Sequence, residues 1–183
     1  MEPIFTMQYG EFAVADYLSK KINNISAFIP ASAQEKGIDL LLYRHLNMKN
    51  MTTTIQVKMS RTYYDKKKII KYPYNLWFNR FNIQDNADWY ILVGIYPKCS
   101  KKVKTKGYGF IWDTIMLAFT RNEMSNFMAK VKQKKNPTKD DRMFGFGFDD
   151  SKNIYQTRGC AVHRDMTNYL IENRIKDIEN SIK

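Results

Sequence analysis

The stretch TTTIQVKMSR, Thr52 to Arg61, decides how this sequence is read. Its apolar side chains recur at every second position. Thr53, Ile55, Val57 and Met59 point one way, and Thr54, Gln56, Lys58 and Ser60 the other, which is the period of a strand. The first face is suited to a core. The second sets an amide and an ammonium side by side, and neither gains from a pleated surface unless it meets a partner.

The segments before it supply candidate partners. A helix is expected from about Tyr9 to Ile22, with Val14, Ala15, Leu18 and Ile22 as its apolar stripe. Glu11 falls on the same stripe, where a carboxylate is costly without compensation. First-turn acids also favour the helix macrodipole, so two readings of Glu11 stand at this point. SAFIP reads as a short strand ended by Pro30. IDLLLYR reads as a strand apolar on both faces. Asp39 stands near its start, although Asp is depleted in strands; closing the turn after Gly37 or serving a site would each explain it. NMKNMTT then makes a hairpin back into the opening stretch. With the two strands paired under the helix, Glu11, Asp39, Gln56 and Lys58 converge. Two carboxylates and an amide oxygen are hard ligands suited to Mg²⁺ or Mn²⁺. A neighbouring lysine can orient a water or offset charge on a phosphate.

Those residues resemble the PD-(D/E)xK nuclease superfamily. GEFAVADYL, GID and IQVK occur in the order of its helix, aspartate strand and lysine strand, and they are similar to small standalone bacterial members. The resemblance spans roughly Met7 to Tyr96. It implies a restriction-endonuclease-like core, a mixed central sheet flanked by helices, and DNA phosphodiester hydrolysis with Mg²⁺ or Mn²⁺. By position, Asp39 matches the family's metal-binding aspartate, Lys58 its lysine, and Glu11 the glutamate that some members supply from the first helix. Gln56 stands where the family usually has Asp or Glu. Some active members carry Gln there, and Glu11 could supply the second carboxylate.

Composition agrees with an anionic partner. The 183 residues carry 30 Lys and Arg against 18 Asp and Glu, a net charge of +12. Many of the cations cluster. Arg61, Lys66, Lys67, Lys68, Lys71 and Tyr72 belong to a basic, aromatic segment expected to be an exposed loop, able to hold a phosphate backbone and stack bases. Lys98 to Lys106 forms a second basic run. DNA is the expected partner, with RNA left open and a homodimer allowed. Cys99 and Cys160 lack the spacing of a zinc site or a disulfide framework. No apolar run approaches the ~18 residues of a membrane span. The N-terminus lacks the basic-then-apolar order of a signal peptide, so a cytoplasmic location is expected.

Further along, NLWFNRF is read as a short helix, ADWYILVGIYP as a buried strand and YGFIWD as another. Asp113 is expected to cap a helix from about Thr114 to Lys132. KQKKNPTKDDR reads as a mobile linker. MFGFGFDD and NIYQTRG read as short strands or ordered loop, and HRD at His163–Asp165 as the lead into a closing helix with Ile171, Ile175, Ile178 and Ile182 at helical spacing. The whole is one α/β domain over 1–183, with the nuclease-like core at about 7–112 and a helical extension at about 113–183. Restriction, repair and defence are all compatible settings. A non-catalytic nucleic-acid-binding protein on the same fold is the alternative. A subunit docking through its isoleucine helix is a third reading.

Overall fold

The computed structural model describes residues 4–30, 37–64, 72–79, 81–98, 111–131 and 142–183. Helix α1 (Ile4–Lys21) leads into β1 (Ser26–Phe28), β2 (Leu40–Leu46) and β3 (Lys49–Tyr64). Strands β4 (Tyr74–Phe78), β5 (Trp89–Lys98) and β6 (Ile111–Thr120) follow, then α2 (Arg121–Ala129). Strands β7 (Phe144–Phe148), β8 (Ile154–Arg158) and β9 (Arg164–Asp165) precede α3 (Ile171–Asn180). The architecture is mixed α/β.

Strand β3 organises the sheet because it is long enough to serve two sets of neighbours. Its first half pairs with β2 in an antiparallel hairpin, up to Leu40 opposite Ile55. Residues Ile55 to Arg61 pair in parallel with β5, and Thr62 to Tyr64 pair with β4. Every other ladder among the named strands is antiparallel.

The alternation of β3 separates two cores. Ile55 and Val57 pack with Val14, Leu18 and Ile22 of α1, Leu40 and Leu42 of β2, and Ile171, Ile178 and Ile182 at the C-terminus. The opposite side of the sheet faces an aromatic core. There Tyr90, Leu92 and Phe119 meet Tyr74, Leu76 and Phe78 of β4 and Phe144, Phe146 and Phe148 of β7.

Several expectations change. NLWFNRF is not helical: Tyr74, Leu76 and Phe78 are buried while Trp77 is exposed, a strand's period, and β7 supplies the pairing. Among the described residues between β3 and β5 none is helical. Arg61 to Tyr64 belong to β3 rather than to a loop. Strand β6 runs through Asp113 to Thr120, because Ile115 to Phe119 are all buried and pair with β5. Thr120 caps α2 instead, in a reciprocal box with Glu123. The boundary expected near residue 112 therefore falls inside β6, and residues beyond it complete both cores. Ile171, Ile178 and Ile182 are buried within this chain, so they offer no docking stripe. The three phenylalanines of FGFGF are fully buried and cannot stack on bases. Residues 65–71, 99–110 and 132–141, which hold most of the basic runs and the linker, lie outside the described residues. No described helix is long and apolar enough to cross a membrane.

Candidate functional site

Strand β2 leaves β3 just after the Leu40–Ile55 pair, and β4 joins only at Thr62. Between these points, residues 56–61 have β5 as their only named strand partner. The result is a notch in the sheet, and the residues singled out by sequence lie around it.

Asp39 closes one side. Its backbone N–H still donates to the carbonyl of Ile55 (2.9 Å), the residue that already pairs with Leu40, so the regular ladder ends here. Its side chain then does what the departing strand no longer can: Oδ2 accepts a hydrogen bond from the Val57 N–H at 2.8 Å. One carboxylate oxygen is thus held by the backbone of the lysine strand. The residue closes a chain junction beside the lysine strand, so the turn and site readings of Asp39 are compatible.

Glu11 comes from α1. The helix starts at Ile4, so Glu11 lies about two turns inside it and the macrodipole reading does not apply. Gly10 sets the approach: a Cβ there would lie 3.3 Å from Met59 Cβ and 3.4 Å from Val57 Cγ1, tighter than most such contacts. The glycine lets α1 press onto β3 and carries Glu11 to the notch. Burial raises the Glu11 pKa above its ordinary 4.5, and the charge of Asp39 raises it further. A backbone hydrogen bond and the Lys58 ammonium oppose that rise. Glu11, Asp39 and Lys58 therefore share one electrostatic neighbourhood.

Gln56 and Lys58 occupy the polar face of β3, as its alternation requires. They differ in exposure. Gln56 is 4% exposed, and its Oε1 is buried without a hydrogen-bond partner. Leaving such an acceptor unsatisfied costs ~1–3 kcal/mol. Lys58 is exposed and borders a cleft of about 430 Å³ that also takes in Ser60, Arg61, Tyr63, Trp77 and Asn79.

The donor set fits a hard cation in kind. Two carboxylates and a buried amide oxygen with no protein partner are the oxygen ligands Mg²⁺ or Mn²⁺ takes. It is a lean set: among the described residues no three His, Cys, Asp or Glu side chains gather as a metal-holding group.

The proposed nucleic-acid contacts divide. Arg61 is exposed and lines the cleft. Tyr72 is 7% exposed, its ring packed on Tyr155 at 5.0 Å and edge-on to His163 at 5.9 Å, which corrects its expected exposure. Lys66, Lys67, Lys68 and Lys71 lie outside the described residues. Sequence reasoning missed Trp77, because its segment was taken for helix; the outward phase of Trp77 between Leu76 and Phe78 was the available signal.

No family model matches the chain, and neither the curated proteins nor the solved structures give a match.

Proposed function

We propose that this protein is a metal-dependent deoxyribonuclease on a restriction-endonuclease-like core, in the manner of the PD-(D/E)xK superfamily. The observation that carries the reading is the notch. Burial and the charge of Asp39 both disfavour a charged Glu11 there, Lys58 acts on the same carboxylate, and Gln56 of the same strand as Lys58 keeps a buried amide oxygen that no protein group satisfies. A charge so placed opposes stability unless a cation relieves it, and perturbed acids of this kind gather at functional sites.

Asp39 and Glu11 would hold Mg²⁺ or Mn²⁺, with Gln56 Oε1 completing the set. Such an ion would supply Lewis acidity and a more acidic water. Lys58, projecting into the cleft, holds the attacking water by hydrogen bond and offsets the negative charge that grows on the phosphorane oxygens. The Val57 N–H fixes Asp39, so its free oxygen is positioned before substrate arrives. Arg61, three residues on, neutralises a neighbouring phosphate. The basic residues elsewhere supply affinity without sequence information.

The alternative is a nucleic-acid-binding protein that does not cut. The neutral Gln56 and the absence of a third carboxylate among the described residues favour it. Mn²⁺-dependent cleavage of DNA by the native protein and by Lys58→Ala separates the two. The nuclease reading expects cleavage to fall at least ~100-fold in the variant, the scale of losing one preorganised charge stabiliser. DNA affinity, spread over many cations, should be nearly unchanged. Binding by both proteins with no cutting by either would leave the binder.

A further inference from the structure

The cleft that Lys58 borders also takes in a pile of flat groups on the second half of the sheet. Tyr63 of β3 stacks on Trp77 of β4, with ring centroids 4.8 Å apart and planes 20° from parallel. The Arg158 guanidinium of β8 lies over the Trp77 ring, 5.4 Å from its centroid. The register explains the pile. Trp77 pairs with Gly145 of β7, and Gly145 pairs with Arg158. A Cβ on Gly145 would stand 2.4 Å from Trp77 Cδ1 and 2.8 Å from the Leu76 carbonyl. Only glycine lets the indole lie across β7 beneath the arginine.

The rings are nevertheless unusually open. Tyr63 is 52% and Trp77 39% exposed. Trp77 covers one face of Tyr63, so the exposure of Tyr63 lies on the other. Both residues line the cleft that Lys58 and Arg61 border. An apolar flat face next to two cations suits a ligand that is itself a planar ring joined to an anion, and a nucleotide is both. In duplex DNA each base is already stacked between its neighbours, so this platform can accept only an unpaired one.

We infer that Tyr63, backed by Trp77 and Arg158, is a stacking subsite for an unpaired base adjoining the phosphate at Lys58, so that the preferred substrate is single-stranded or has a single-stranded segment at the cut. This rests on the nuclease reading for the role of Lys58, but the stacking itself does not. Gly145 and the β4 register build the platform; Arg61 and Arg158 supply charge to the flanking phosphates.

The test uses a short oligonucleotide carrying 2-aminopurine, single-stranded or annealed, with the full-length protein at one fixed salt concentration. Binding of the single strand should quench the probe, and the duplex should quench it far less. Tyr63→Leu should weaken single-strand binding by roughly 5- to 100-fold, the range for loss of one stacked base, and leave duplex affinity unchanged. Tyr63→Phe, which keeps the ring, should restore it. Tyr63 is a surface residue, and circular dichroism would confirm that each variant is folded. Equal single-strand affinity for native and Tyr63→Leu proteins, or no quenching, would overturn the inference. Cleavage assays on the same samples keep the two claims apart. Tyr63-dependent quenching without cutting at any Mn²⁺ level would sink the nuclease and leave the subsite. Cutting that ignores Tyr63 would do the reverse.

Discussion

Two half-buried glutamates show opposite treatments of the same group. Glu123 starts α2 at one end of the sheet and is matched on every side. Arg174 meets both its oxygens at 2.9 Å, and Thr120 donates to it from backbone and hydroxyl. Burial pushes the Glu123 pKa up, but these partners outweigh burial and hold it below the ordinary value. Glu11, at the notch, has no such match. Its pKa is raised, first by burial and then by a second carboxylate, with a backbone hydrogen bond and the Lys58 charge failing to compensate. One acid is stabilised by its surroundings as a carboxylate. The other is held where its charge is unwelcome. Paired acids serve a fold, and acids with perturbed titration gather at functional sites, which is the contrast the proposed function draws on.

The largest effect expected from disturbing this contrast is at the matched end. Arg174→Ala should destabilise the fold by about 2–4 kcal/mol, since it leaves Glu123 partly buried and unpaired. It also removes a cation from over Trp89 and Tyr169. Chemical denaturation measures this directly. The pH dependence carries the sign. The Glu123 pKa is depressed in the native state, so its contribution is present above the ordinary 4.5 and is lost as pH falls through the lower native value. Arg174→Ala should therefore show a smaller loss of stability on acidification than the native protein. An equal loss would place the acid sensitivity elsewhere.

Glu11→Gln should act in the opposite direction and more weakly. The Glu11 pKa is raised on folding, so its favourable contribution is full below 4.5 and is lost as pH rises through the native value. At neutral pH the neutral amide should raise the melting temperature by a few degrees at most, the scale of ~1 kcal/mol in a chain of this length. Below pH 4.5 both side chains are uncharged and the gain should vanish. Thermal melts in metal-free buffer across that range check both the sign and its disappearance. A loss of stability at neutral pH would mean that Glu11 is a matched structural acid after all.

The facing of individual side chains could be read from sequence because it depends on local phase. The two-residue period of Thr53 to Ser60 fixes which way Gln56 and Lys58 point, and the helical stripe at Val14, Leu18 and Ile22 carries Glu11 with it. Non-local structure was harder to read. Tyr74 to Phe78 becomes a strand only because β3 and β7 flank it. Ile115 to Phe119 is buried on both faces, so no period distinguishes strand from helix there. The Thr120–Glu123 capping box did mark the true boundary, while Asp113 offered a competing cap seven residues earlier. The Tyr63–Trp77–Arg158 pile assembles three strands across a glycine, and no stretch of sequence contains it.

The central claim is that the notch holds a divalent cation through Asp39, Glu11 and Gln56, and thermal unfolding with and without Mn²⁺ tests it most directly. A ligand at 100 times its dissociation constant stabilises the native state by ~2.7 kcal/mol. The native protein should melt higher as Mn²⁺ is added. Asp39→Asn should lose most of that response. Gln56→Glu should be less stable without metal, because a third carboxylate joins the other two, and should respond at lower Mn²⁺ than the native protein. A melting temperature indifferent to Mn²⁺ in all three proteins, or one that rises equally in all three, would contradict the account.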